Sequence, residues 1–238
     1  LTGSSAPRIG MYKSAQEPME AGWTRWVFDM HGLRYDTLKD ARIRQGELRR
    51  DFDVILFQSQ SASSIRAGHE PNSLPAQYTG GLGDAGVTAL QQFVRAGGRL
   101  VAIEEATEFA AELFDLPVSS AVEDLPPQDF YVPGSILRID VAADDPLAGG
   151  VGNEVHGWYW GDSRAFDITG DAVRVVARYG AGNPKVSGWI LGPEHIAGKP
   201  ALISARVGQG SVVLFGFQPN YRGQSIATWP LLWAALSP

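Results

Sequence analysis

In the first half of the chain, short unbroken apolar runs alternate with helically spaced apolar residues. Residues 8–12 (RIGMY) read as a first strand. Pro18 then opens a pattern in which Met19, Trp23, Trp26, Val27 and Met30 recur at i, i+4, i+7, i+8 and i+11, predicting one buried helical face. Gly32 supplies the residue that ends such a helix. Residues 35–38 predict a second strand and residues 43–50 a short helix. Residues 53–57 (DVILF) are continuously apolar after the first position, the mark of a strand covered on both faces. Residues 58–83 have no period and are rich in Ser, Gly and Pro, so they predict a long loop of the functional or mobile kind. Asp84 is placed to cap a helix whose apolar side is Val87, Leu90 and Val94 and whose stop is Gly97-Gly98. Residues 99–103 (RLVAI) predict another buried strand, and residues 106–114 a helix closed by Leu116-Pro117.

The second half changes texture. Residues 135–141 (SILRIDV) alternate, as a strand with one wet face does. Residues 145–150 predict a turn and residues 172–179 a strand. Residues 201–217 predict a hairpin about Gly208-Gln209-Gly210, and residues 229–236 a closing helix. Strand–helix alternation in the first half argues an α/β fold with a mainly parallel, doubly wound sheet. The strand-rich second half is expected to complete the same sheet. This gives one α/β domain over residues 8–238, divided into 8–117 and 118–238, with residues 1–7 as a linker or cloning remnant.

Composition narrows the chemistry. The 20 basic and 26 acidic residues give a net charge of −6 with no basic tract, which disfavours nucleic acid and a polybasic membrane patch. No run of 18 apolar residues exists, so no membrane-spanning helix is expected. Cysteine is absent, which removes disulfides, thiolate catalysis and cysteine-bound metals together. His31, His69, His156 and His195 form no zinc motif, so no metal and no cofactor is expected. Gly80-Gly81-x-Gly83 and Gly208-x-Gly210 match neither a dinucleotide fingerprint nor a P-loop.

In an open parallel sheet, reactive groups stand beyond the carboxyl ends of strands. The turn after residues 99–103 is where a nucleophile elbow would lie, and it holds Glu104 and Glu105 in place of Ser or Cys. Either glutamate would serve as a general base if its pKa were raised. The plainer expectation is two exposed charges favoured by a helix start. Ser59 leaves the neighbouring strand and is expected to approach Glu104. Tyr221 and Arg222 follow a buried strand and are candidate binding residues. Arg222 reads either as an anion clamp or as a loop arginine tied to backbone carbonyls.

An ordered set of segments carries a family resemblance: EPMEAGWTRW (17–26), FDVIL (52–56), YTGGLG (78–83), FVRAGGRLV (93–101), YVPGSIL (131–137), SGWILG (187–192) and GQGSVVLFGFQPNYR (208–222). The chain resembles the C-terminal class I glutamine amidotransferase-like domain of secreted bacterial zinc carboxypeptidases of the carboxypeptidase A type. The wider superfamily, with a flavodoxin-like core, also includes trehalose-utilisation-type proteins and accessory domains of β-galactosidases. The resemblance implies a three-layer sandwich, an extracellular or periplasmic location, and a peptidase domain of the same parent chain as partner. The peptidase's His-x-x-Glu set and the amidotransferase's Cys and His-x-Glu have no counterpart here. The expected role is therefore a non-catalytic binding or scaffolding domain, with a peptide or carbohydrate as candidate ligand. The rivals are a carboxylate-based hydrolase at Glu104/Glu105 and an oligomerisation module.

Overall fold

The computed structural model describes residues 6–238; residues 1–5 of the expected linker lie outside the described residues. In chain order the elements are β1 (Ile9–Lys13), α1 (Met19–Met30), β2 (Asp36–Lys39), α2 (Asp40–Arg44), α3 (Leu48–Asp51), β3 (Val54–Phe57), α4 (Ala62–Arg66), α5 (Gly83–Arg95), β4 (Arg99–Ile103), α6 (Ala106–Leu113), β5 (Val118–Ser120), β6 (Ser135–Val141), β7 (Glu154–Tyr159), β8 (Phe166–Ile168), β9 (Val173–Tyr179), β10 (Lys185–Ser187), β11 (Pro200–Val207), β12 (Gly210–Phe215) and α7 (Trp229–Leu236). Ten strands share one sheet in the order β10-β6-β9-β11-β12-β4-β3-β1-β2, with β7 also paired to β6. The stretch β12-β4-β3-β1-β2 is parallel throughout. The remainder is antiparallel and joins it through the β11–β12 hairpin. β5 and β8 form a separate two-stranded ribbon.

The unbroken apolar runs are the central strands, as their composition requires. Val54, Ile55, Leu56 and Phe57 of β3 and Leu100 to Ile103 of β4 are wholly buried. Leu56, Val101 and Val213 face one core with Ala21 and Phe28 of α1 and Leu231 and Leu232 of α7. Ile55, Leu100 and Val212 face the other, with Leu90 and Phe93 of α5 and Phe109 of α6. Helices thus cover both faces, and each fully buried large side chain contributes about 1.5–3 kcal/mol. The alternating SILRIDV is β6, whose odd positions are buried and whose even positions are wetter.

Several sequence expectations need correction. The face of α1 that enters the core is Ala21, Thr24, Val27 and Phe28, joined by Glu20. Met19, Trp26 and Met30 stand in solvent, 54%, 45% and 65% exposed. The apolar pattern misleads here because two of the buried positions are polar and are used at the sheet's edge. The expected helix over 43–50 is two short ones, broken where Glu47 takes a left-handed φ of 51°. Asp84 lies in the first turn of α5 and does not cap it; Leu82 is the cap residue. The loop 58–83 contains α4, held by the Ser61 cap. Its return is tight: Gly80 N–H donates to the His69 carbonyl at 2.8 Å, and a Cβ on Gly68 would fall 2.0 Å from the Gly80 oxygen. The short strands β5, β7, β8 and β10 had no sequence reading.

Candidate functional site at the carboxyl edge of the sheet

β3, β4 and β12 end side by side, with Phe57 opposite Ala102 and Ile103 opposite Phe215. Gln58 and Ser59, then Glu104, then Gln218 and Asn220 are the residues that follow. All five are polar and all are buried. Ser59 follows Phe57 by two positions, as Glu104 follows Ala102, the partner of Phe57 in the parallel register.

Glu104 occupies a sharp strand-to-helix turn with φ of 53°, a left-handed conformation that is strained for glutamate. Its N–H donates to the Phe215 carbonyl at 2.8 Å, and its own carbonyl accepts from Thr107 N at 2.9 Å. The turn is over-determined, which is how such a backbone persists. The side chain is not exposed, contrary to the sequence expectation: its exposure is 0%. Trp160 Nε1 donates to Oε1 at 2.9 Å and Ser163 Oγ donates to the same oxygen at 2.8 Å. Gln218 Nε2 lies 3.4 Å from Oε2. Burial pushes the Glu104 carboxyl up to about 8, helped by Asp162 and Glu20 and opposed by the Ser163 and Trp160 hydrogen bonds. At neutral pH it is mainly a neutral acid. Its Oε2–H would satisfy the unpartnered Gln218 Oε1 after a half-turn of the amide.

Trp160, which donates to this acid, belongs to an aromatic cluster. Trp158 and Tyr221 stack at 4.1 Å with planes 6° apart, and Trp160 meets Tyr221 edge-on at 5.3 Å. Tyr221 thus lies against Trp158 and Trp160. Arg222 is exposed, has a left-handed φ of 47°, and holds its guanidinium 5.1 Å above the Tyr221 ring. Burial raises the Glu20 carboxyl, Asp162 raises it further, and the Arg222 charge opposes the rise. Asn220 Nδ2 donates to Thr24 Oγ1 at 2.9 Å. Among the described residues the side-chain polar atoms of Gln58 and Ser59 and the amide oxygens of Gln218 and Asn220 are buried without a hydrogen-bond partner.

Glu105 points elsewhere. It lines a cleft of about 230 Å³ with Glu123, Tyr131, Trp160 and Arg164. Burial raises its carboxyl, Asp162 adds to this, and Arg164 counteracts. The two adjacent glutamates thus serve different sides of one wall. Among the described residues no group of three or more His, Cys, Asp or Glu side chains is arranged to hold a metal ion, and no helix is long and apolar enough to cross a membrane.

Comparison with known proteins gives similarity in fold. No family profile and no curated protein matches the sequence. A ThuA-like protein from Bacteroides uniformis superposes with a TM-score of 0.55 at 11% identity, over 99% of this chain and 92% of that one. A GMP synthase-type protein from Thermoplasma acidophilum gives 0.58 at 8% identity, over 98% and 94%. The fold is ThuA-like and class I glutamine amidotransferase-like. The same ThuA-like fold occurs inside a β-galactosidase from Bacillus circulans sp. alkalophilus, with a TM-score of 0.57, 14% identity and 99% of this chain matched. There the chain spans 31% of the larger protein's length.

Of the five residues singled out from sequence, Glu104 and Tyr221 both contact Trp160, and Ser59 lies two positions beyond the end of the adjacent strand. Arg222 stands over the Tyr221 ring, and Glu105 faces the neighbouring cleft. Trp160, Ser163, Gln218, Asn220, Glu20 and Arg164 were not singled out. Gln218 and Asn220 lie in the segment quoted for Tyr221, where two amides directly after a buried strand were the available signal. Trp160 and Ser163 follow β7, which itself was not read.

Proposed function

We propose that this chain is a non-catalytic binding or scaffolding domain of a larger enzyme. The observation that carries the reading is Glu104: it stands at the elbow of a ThuA-like fold, yet its carboxyl is fully buried, with Trp160 and Ser163 donating to it. A raised pKa equips a carboxyl for acid–base work, but a substrate must also come within hydrogen-bond reach. Occurrence of the fold as about a third of a β-galactosidase chain supports a role beside a catalytic domain. The resemblance of the ordered sequence segments makes a secreted zinc carboxypeptidase the proposed parent. The reading is tested by presenting the chain with a panel of esters, amides and glycosides: no turnover is expected. Turnover that disappears in Glu104→Gln would replace this reading with a carboxylate hydrolase. Sequencing the adjoining reading frame tests the parent, which should carry a His-x-x-Glu zinc motif.

A second reading is favoured by one observation, the solvent-facing stripe of Met19, Trp26 and Met30 on α1. An apolar stripe of this kind suits packing against a further domain or another copy. Sedimentation over a hundredfold concentration range separates the two, because only self-association makes the mass depend on concentration.

A further inference from the structure

Arg164 is 8% exposed and sits between two clefts, both of which it lines together with Glu123. Its Nη1 is anchored, donating to the Asp162 carbonyl at 2.9 Å. Its Nε is buried without a partner. Its Nη2 stands 3.7 Å from Glu105 Oε1 and 3.8 Å from Glu123 Oε1, both beyond hydrogen-bond length. Nε is enclosed and Nη1 is occupied, so the donors left for a ligand are those of Nη2, which no acceptor among the described residues reaches within hydrogen-bond length and which two carboxylates flank. The matching ligand carries oxygen acceptors for Arg164 and hydroxyl donors for Glu105 and Glu123. Glu105 and Glu123, with Asp162 and Glu108 acting on Glu105 as well, disfavour an anion; a cation brings donors only and leaves Arg164 without an acceptor, so the match is a neutral, hydroxyl-bearing ligand.

The smaller cleft adds the shape. At about 230 Å³ it falls below the ~300–1,000 Å³ of pockets for drug-sized ligands, so it admits a single ring. Trp160 and Tyr131 line it and give aromatic surface for the C–H face of that ring. Tyr131 is 48% exposed and lies 5.9 Å, ring to ring, from Trp189, which is 50% exposed and outside the cleft. A backbone bridge between Tyr131 and Leu191 fixes this pair, and Ser135 Oγ holds the Trp189 backbone at 2.6 and 2.8 Å. The aromatic surface thus continues outward as a shelf of two rings tilted 60° to one another.

We infer that this cleft binds a neutral saccharide, one ring held by Arg164, Glu105, Glu123 and Trp160 and the next lying on the Tyr131–Trp189 shelf. The inference deepens the binding-domain reading and rests on it. The test is titration of the chain with methyl β-D-glucopyranoside, cellobiose, maltose and N,N′-diacetylchitobiose, read by calorimetry and by tryptophan indole N–H resonances. Spermidine serves as the cationic comparison. At least one disaccharide is expected to bind about tenfold tighter than the monosaccharide and to shift the Trp160 and Trp189 signals, an increment of the size that one aromatic contact supplies. Trp189→Ala, at an exposed site, should abolish that advantage and leave monosaccharide binding unchanged. Glu123→Gln, also partly exposed, should weaken both by about tenfold, the loss of one hydrogen bond to a charged group. No indole shift with any of the saccharides overturns the inference. So do shifts indifferent to both variants, or spermidine binding more tightly at the same resonances. Such a failure would leave the non-catalytic reading standing, since turnover decides that.

Discussion

Asp53, just before β3, and Glu104, just after β4, are carboxylates flanking the same pair of central strands, yet they are held in opposite states. Asp53 accepts from Arg8 Nη2 at 2.8 Å, from Arg8 Nε and backbone N at 3.0 Å, and from Arg49 Nη1 at 2.6 Å. The Arg8 hydrogen bond foremost, with Arg49 in support, holds its carboxyl well below the usual aspartate range. Glu104 has no cation in hydrogen-bond contact among the described residues, is fully buried, and has its carboxyl pushed up to about 8, so it is mainly protonated at neutral pH. One end of the sheet ties strands and the chain entry together with charge. The other stores a neutral acid, a strained turn and unpartnered amides. Strained backbone and displaced pKa values gather where folds of this kind bind ligands. Strand position alone does not decide the state of a carboxylate; its desolvation and its partners do.

The largest test is alkaline. Glu104 has a folded pKa above its unfolded value near 4.5, so folding takes up a proton between the two. Its contribution is complete below about pH 4.5 and is lost as pH rises to about 8. At ~1.4 kcal/mol per pH unit this loss amounts to a few kcal/mol. Urea unfolding at pH 5, 7 and 9 should show it, and Glu104→Gln, a neutral isostere, should flatten this limb. A wild type whose stability is level across that range would break the contrast between the two ends.

The acid limb has the opposite sign. The depressed carboxyl of Asp53 gives stability that is present above its unfolded value near 4 and is lost as pH falls further. The group is partly solvated, so screening reduces its worth, and Asp53→Asn should cost about 1 kcal/mol at pH 7. The same unfolding series carried to pH 2.5 should find wild type and variant converging.

Glu105→Gln sharpens the comparison at a single end. This side chain is a third exposed and faces Arg164, so the change in stability should stay within about 0.5 kcal/mol. An effect as large as that of Glu104→Gln would mean that position at the carboxyl edge, not burial, governs both glutamates. Smaller still is the expected effect of Met30→Lys on exposed α1, near zero in thermal unfolding.

The central strands were legible because burial on both faces demands unbroken apolar runs, and FDVIL and RLVAI supply them. The elbow position of Glu104 was legible as well, since it follows from counting along a buried strand. Its burial was not. The residues that cover it, Trp160 and Ser163, come from the antiparallel half, 56 and 59 positions away in the chain. The buried face of α1 was misread for a related reason. Thr24 and Glu20 are buried to serve that edge, and a binary apolar pattern has no symbol for a buried polar residue with a distant partner.

By itself, then, the sequence determined the central parallel strands, the helices that follow β1 and flank β4, the β11–β12 hairpin, the closing helix and the place where chemistry would stand, because each depends on side-chain periodicity within a few residues. Tertiary structure decided the rest: that Glu104 is buried and protonated, that Glu105 faces another cleft, and that Arg164 is left with unfilled donors. These depend on which distant groups share a low-dielectric space, and no local pattern records that.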